Sequence, residues 1–176
     1  MALGISPQQI VKQKKYVLLN ISNNWTRVQL SDIAYVQNGC AFQSKYFNKT
    51  YGLPLIRIRD ISKSITENLY SGDYSEDFVV KKGDILIGMD GDFNVSKWSG
   101  TKGLLNQRVC RLIKTSNFYV KEFLYLCLQP YLNAIHQETS AVTVKHLSSR
   151  TINNIPLPLP PLPEQRAIVS KIDQLF

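Results

Sequence analysis

Apolar residues follow two different spacings along this chain. Between Trp25 and Lys114 they alternate with polar residues or gather in short runs; after Phe118 they recur at helical intervals. The first spacing predicts strands and the second helices. Read in order, residues 7–19 predict a helix with Ser6 as N-cap and Pro7 in its first position. WTRVQL (25–30) alternates as a strand does, and LSDIAYVQNG gives a helical turn, a short strand and a turn at Asn38–Gly39. SKYFNKTYG is a polar and aromatic loop, and LPLIRIRDI (53–61) predicts a strand with Arg57 and Arg59 on one face. ENLYSGDYSEDF is turn-rich. FVVKKGDILIGMDG holds two strands around Lys82–Gly83–Asp84, and FNVSKW and GLLNQRVCRLIK supply two more strand candidates.

The helical regime opens at 118–137, where Phe123, Leu126, Cys127 and Leu132 share a face and Pro130 predicts a break or kink. VKHLSSRTINN reads as a second, shorter helix, and IPLPLPPLP as extended chain. Pro163 and Glu164 then open a final helix. Strands followed by helices predict an α+β class: a strand-rich globular domain with C-terminal helices.

Length narrows the picture to one domain, since 176 residues bury a sizeable core without cross-links. No apolar run approaches the ~20 residues of a membrane span, and MALGISPQQIVKQKK lacks the apolar core of a signal peptide. Cys40, Cys110 and Cys127 form no CxxC pair and have apolar or aromatic neighbours. They read as free core thiols in a reducing cytoplasm, with no metal site.

Charge adds direction. The net charge is +8, and its distribution is uneven. Asp60–Asp92 holds eight acids and three lysines; Phe93–Lys121 holds six basic residues and no acid; Thr139–Pro163 again holds no acid. A chain polarised in this way predicts a cationic face of the kind that grips a phosphate backbone.

Signs of catalysis are few. GxxxxGK[ST], GxGxxG, HExxH and GxSxG are all missing, and neither His136 nor His146 sits in a triad-like setting. Asp90 and Asp92 in MDGDF would share a face if the segment were a strand and could then hold Mg²⁺. Equally, acids beside glycines cap turns, and an acid on a DNA-facing loop accepts from cytosine N4. In GLLNQRVC, Asn106 and Gln107 are of the types that pair with adenine, and Arg108 of the type that pairs with guanine; a polar strand start is the alternative. In AVTVKHLSS, Thr143, Lys145 and His146 put a hydroxyl, a cation and a ring before a helix, as a phosphate site or as an ordinary helix start. The Pro/Leu tract reads as a stiff connector more readily than as a PxxP ligand. Beyond it Ile168, Ile172 and Leu175 step by four and three, a coiled-coil seam too short to hold alone.

With those segments in view, IPLPLPPLPEQRAIVSKID resembles the joint of specificity subunits of Type I restriction–modification systems, where a target-recognition domain leads into a conserved spacer helix. WTRVQLSDIA from Trp25, Gly39, LIRIRDI, KKGDILIGMDGDF and LLNQRVCRL resemble the same family, so the likeness covers about 24–176. It implies an N-terminal extension (1–23), a target-recognition domain (24–155), and a joint with the start of a projecting coiled-coil-type spacer helix (156–176). It implies one half of a split duplex DNA target, read by a chain that is not itself an enzyme. The implied partners are adenine methyltransferase subunits, a restriction subunit, and a second recognition domain or copy through the spacer helix. S-adenosylmethionine, ATP and Mg²⁺ would be bound by those partners, and none by this chain. Family members carry two recognition domains and two spacer helices; this sequence has one domain and the start of one helix. The expected phosphate clamps are Lys97, Lys102, Arg108, Lys145 and Arg150, and the expected base readers are Gln43, Lys45, Arg57, Arg59, Asp92, Asn94 and Gln107. Thr143 and His146 complete the expected DNA-binding set, and Ile168, Ile172 and Leu175 the partner-helix seam. Two other readings stay open: a metal-dependent nuclease using Asp90 and Asp92, and a protein-interaction module using the Pro/Leu tract.

Overall fold

The structure is a computed structural model describing residues 6–12, 16, 19, 25–139 and 145–175. Its elements, in chain order, are α1 (Pro7–Ile10), β1 (Thr26–Gln29), β2 (Ala34–Asn38), β3 (Phe47–Asn48), β4 (Leu53–Ile56), β5 (Leu69–Tyr70), β6 (Val79–Val80), β7 (Ile85–Gly88), β8 (Val95–Lys97), β9 (Gly103–Leu105), β10 (Val109–Lys114), α2 (Lys121–Glu138), α3 (Ser149–Asn153), β11 (Pro156–Leu159) and α4 (Leu162–Asp173). The α+β class read from the sequence holds. The chain divides into two compact units, 36–113 and 1–35 with 114–176.

The 36–113 unit carries two sheets. One has the order β2-β10-β7-β8, and the other β3-β5-β4-β9-β6. Neighbouring residues on a strand face opposite ways, and both cores follow from that. Ile56, Val80 and Leu105 face Leu86, Val109, Ile61 and Trp98 in one cluster. Their neighbours Leu55, Val79 and Leu104 turn to the other side and pack with Tyr70, Phe42 and Leu53. Unbroken apolar pairs are what a sheet covered on both faces requires.

Two predicted strands are cut short. LPLIRIRDI leaves the sheet at Ile56, because the Asp60 carboxylate accepts from Arg57 N (3.0 Å) and pairs with Arg57 Nε (3.1 Å). That bracket closes a 3₁₀ turn over Ile58–Asp60. Arg57 and Arg59 therefore do not lie along a strand face. GLLNQRVCRLIK breaks at Asn106–Arg108 into β9 and β10, with Arg108 in the left-handed region at φ 68°.

In the 1–35 and 114–176 unit, β1 pairs antiparallel with β11, although β11 reads Pro-Leu-Pro-Leu. The spacing makes this possible. Prolines two apart put both missing N–H groups on the side away from β1, so Leu157 and Leu159 carry the ladder. The outward carbonyls are taken by side chains: Tyr131 Oη donates to Pro156 O (2.7 Å) and Tyr119 Oη to Pro158 O (2.9 Å). Helix α2 runs through Pro130 without ending, so of the break or kink expected there the break does not occur. Burial of Phe123, Leu124, Leu128, Tyr131, Leu132 and Ile135 outweighs the one hydrogen bond a mid-helix proline removes. Helix α1 covers only Pro7–Ile10 of the predicted 7–19, and 13–15 and 17–18 lie outside the described residues.

Gln165 fixes the joint. It is fully buried; its Nε2 donates to Phe118 O (3.0 Å) and Pro160 O (2.9 Å), and its Oε1 accepts from Val120 N (2.7 Å). The start of α4 is thereby held against the start of α2. Along α4, Ile168 and Ile172 are half-buried and Leu175 is exposed. Among the described residues no helix is long and apolar enough to cross a membrane.

Candidate nucleic-acid interface

Strand directions in the 36–113 unit decide which loops meet. Strands β4 and β9 run parallel, with Ile56 opposite Leu105, so the loops that follow them, 57–60 and 106–108, emerge together. Strand β10 returns antiparallel to β7 with Val109 opposite Gly88, which brings in the MDGDF loop. Backbone bonds tie the group: Met89 N donates to Arg108 O (2.8 Å), Gln107 N to Cys40 O (2.8 Å), and Asn106 N to Ile56 O (3.3 Å). Four loops thus converge at one end of two sheets.

Packing there is close. A Cβ on Gly39 would stand 2.0 Å from Asn106 O, so only glycine admits the bridge between Cys40 and Asn106. Phe93 (φ 52°) and Arg108 (φ 68°) both hold left-handed backbone without being glycine, a conformation that costs on the order of 1–3 kcal/mol each and clusters at ligand-contacting loops. Arg57, Ile58, Arg59, Asn106, Gln107 and Arg108 line an open concavity of about 350 Å³. The nearby charges are mixed. Arg57 pairs with Asp60, and Arg108 Nε lies 3.6 Å from Asp90 Oδ2. Arg59, Asp92, Asn94 and Gln107 are exposed. MDGDF is a turn about Gly91 (φ 76°) beyond the end of β7, so Asp90 and Asp92 do not alternate on a strand face. Among the described residues no group of three or more His, Cys, Asp or Glu is placed to hold a metal ion.

The structure brings Arg57, Arg59, Asp92, Asn94, Gln107 and Arg108 to this end. It carries Lys97 and Lys102 elsewhere. Lys97 pairs with Ile85 at the start of β7, and Lys102 precedes β9. The connection between them is pinned by Trp98 N to Asp84 O (2.8 Å), Gly83 N to Trp98 O (2.7 Å) and Trp98 Nε1 to Thr101 O (2.7 Å). Exposed Lys81 and Lys82 lie on the same turn, so four lysines gather at the end opposite the loops. Gln43 and Lys45 lie before β3, whose register aligns with the start of β4, and the Lys45 ammonium rests 4.8 Å from the Tyr46 ring centroid.

Lys145, His146 and Arg150 belong to the other unit. The Lys145 Nζ donates to His136 O (2.6 Å) in the last turn of α2, where a cation also meets the negative end of the helix dipole. His146 and Arg150 are exposed, Arg150 within α3. Thr143 lies outside the described residues. Burial pushes the Cys110 and Cys127 thiols up to about 12, so neither is a thiolate near neutral pH. Gln165 carries no signal of its own in the sequence beyond its place in the joint, and the burial of Asn106, a candidate adenine reader by its residue type, has no signature in a single polar letter.

A family model described as the Type I restriction modification DNA specificity domain matches residues 22–176. The chain belongs to that family. This specificity domain is 45% identical, over all of its length, to the Type I restriction enzyme EcoBI specificity subunit of Escherichia coli, and 29% identical over 89% of its length to the EcoAI specificity subunit from the same organism. It spans 37% and 29% of those two relatives. Its fold matches that of the HsdS subunit from Thermoanaerobacter tengcongensis, with a TM-score of 0.65 at 19% identity, over 96% of this chain and 44% of that one.

Proposed function

We propose that the convergent loop end of the 36–113 unit reads one half of a bipartite duplex DNA target, and that the chain serves as a specificity unit of a Type I restriction–modification complex. The observation that carries this is the meeting of the 57–60, 89–94 and 106–108 loops. Together they present exposed arginine, glutamine, asparagine and aspartate on rigid strand ends. Those side chains carry the donor and acceptor patterns that distinguish base edges in the major groove: arginine for guanine, glutamine or asparagine for adenine, aspartate for cytosine N4. Mixed charge at the tip suits reading more than gripping, because phosphates offer only acceptors.

The lysine end contributes differently. Strand β4 is four residues long, so its first and last residues lie about 10 Å apart. That exceeds the Debye length of about 8 Å at physiological salt. Lys81, Lys82, Lys97 and Lys102 therefore steer DNA at low salt and act weakly on phosphates at the reading end at 150 mM. In the whole complex, α4 begins a spacer whose Ile168, Ile172 and Leu175 meet a second helix. Methyltransferase and restriction subunits supply the chemistry together with S-adenosylmethionine, ATP and Mg²⁺. The relatives' being restriction enzyme specificity subunits supports this reading.

Selection from a randomised duplex pool, followed by titration over a salt series, tests the reading. Gln107→Ala should lose roughly 5- to 100-fold at one base pair and little on other sequences. Neutralising the four lysines should weaken all sequences alike, with the difference fading as salt rises. Equal loss on every sequence for Gln107→Ala, or nicking that requires Asp92 and Mg²⁺, overturns the proposal.

A further inference from the structure

Among the described residues, Asn106 holds the buried side-chain acceptor without a hydrogen-bond partner: its Oδ1 is shielded, and the residue is only 8% exposed. Leaving such an acceptor unpaired is unfavourable, and native interiors avoid it. Nothing in the local backbone relieves it. Asn106 is fixed by its bridge to Cys40, by donation from its N to Ile56 O (3.3 Å), and by its carbonyl, which accepts from Val109 N (3.3 Å) and abuts Gly39. Three chain segments therefore set where this amide stands, and they set it within the lining of the concavity shared with Arg57, Ile58, Arg59, Gln107 and Arg108.

The surrounding side chains define what a ligand must offer. The three guanidinium groups are donors. Arg57 already pairs with Asp60 and Arg108 with Asp90; a phosphate, or the N7 and O6 of guanine, would engage only such donors and leave Asn106 Oδ1 unpaired. Only a ligand bearing a donor completes the site. In the major groove those donors are adenine N6 and cytosine N4, and adenine N7 beside N6 can also accept from the asparagine amide. The terminal torsion of asparagine is broad, so turning the amide towards an arriving base is a small movement.

The geometry points to Asn106 as a specificity-determining residue that selects an amino-bearing base, adenine before cytosine, at one position of the half-site. This deepens the reading proposed above and rests on it. Asn106→Leu removes the unpaired acceptor while keeping the same branched heavy-atom skeleton, and Asn106→Asp keeps an acceptor but cannot donate to adenine N7. Each full-length variant is taken through selection from a randomised duplex pool, with thermal unfolding measured alongside. Asn106→Leu should lose about 5- to 100-fold discrimination at a single adenine-bearing position, keep its affinity for unrelated duplex, and melt no lower than the parent. Asn106→Asp should move the preference at that position from adenine towards cytosine. A variant that keeps the parent's preference, an equal loss on all sequences, or a parental guanine at that position overturns the assignment while leaving the reading end intact. A parent chain with no base preference overturns both.

Discussion

Replacing Gln165 by leucine isolates what holds the joint. The substitution nearly conserves volume, so the cavity contribution is small and the polar contribution dominates. The glutamine makes three buried hydrogen bonds, at 2.7, 2.9 and 3.0 Å. Each is worth about 0.5–1.5 kcal/mol net, and Val120 N, Phe118 O and Pro160 O would be left unpaired around an apolar side chain. The expected loss is therefore about 3 kcal/mol. For a chain of this size that corresponds to a fall in melting temperature of roughly 6–12 °C. Thermal and urea unfolding followed by circular dichroism measure it. Arg166→Ala, an exposed neighbour on the same helix, provides the comparison and should stay within about 0.5 kcal/mol. Hydrogen exchange at the first amides of α2 should accelerate in Gln165→Leu alone. A loss below about 1 kcal/mol, or unchanged exchange at Val120, would refute the view that this side chain fastens α4 to α2.

Gly39→Ala should cost at least about 2 kcal/mol by urea midpoint, because the new methyl would meet backbone atoms of Asn106 and Leu105 that cannot swing aside; a neutral substitution would show that the bridge is not tight. Stability should also fall in alkali. Burial holds Cys110, Cys127 and Tyr131 at about 12 in the folded chain, whereas unfolded thiols titrate near 8.5 and phenols near 10. The folded state keeps protons that the unfolded state releases, so the urea midpoint should be level below about pH 8.5 and decline from there towards pH 12. A midpoint that rises over that interval would contradict the burial of these groups.

The sequence by itself determined the periodicities, and through them most elements. The apolar runs of β4, β6 and β9 read as strands, and the spacing of Phe123, Leu126, Cys127 and Leu132 as a helix. PLPPLPEQ was recognisable because prolines constrain the backbone one residue at a time. The sequence also marked NQR and MDGDF as candidate base-reading segments. What tertiary structure decided is everything that depends on which ends meet. Asp60 drew Arg57 and Arg59 out of a strand and into a turn beside Gln107. The antiparallel return of β8 carried Lys97 away from Arg108, although the two lie eleven residues apart in one acid-free stretch. Charge can be counted along a chain, but a strand reverses its direction in space at each turn. A local pattern therefore names the element and leaves open the face or end on which its side chains arrive. Gln165 and Asn106 show the same limit in single residues. Both are ordinary amides in sequence, and burial made one a three-way clamp and left the other with an acceptor in want of a donor.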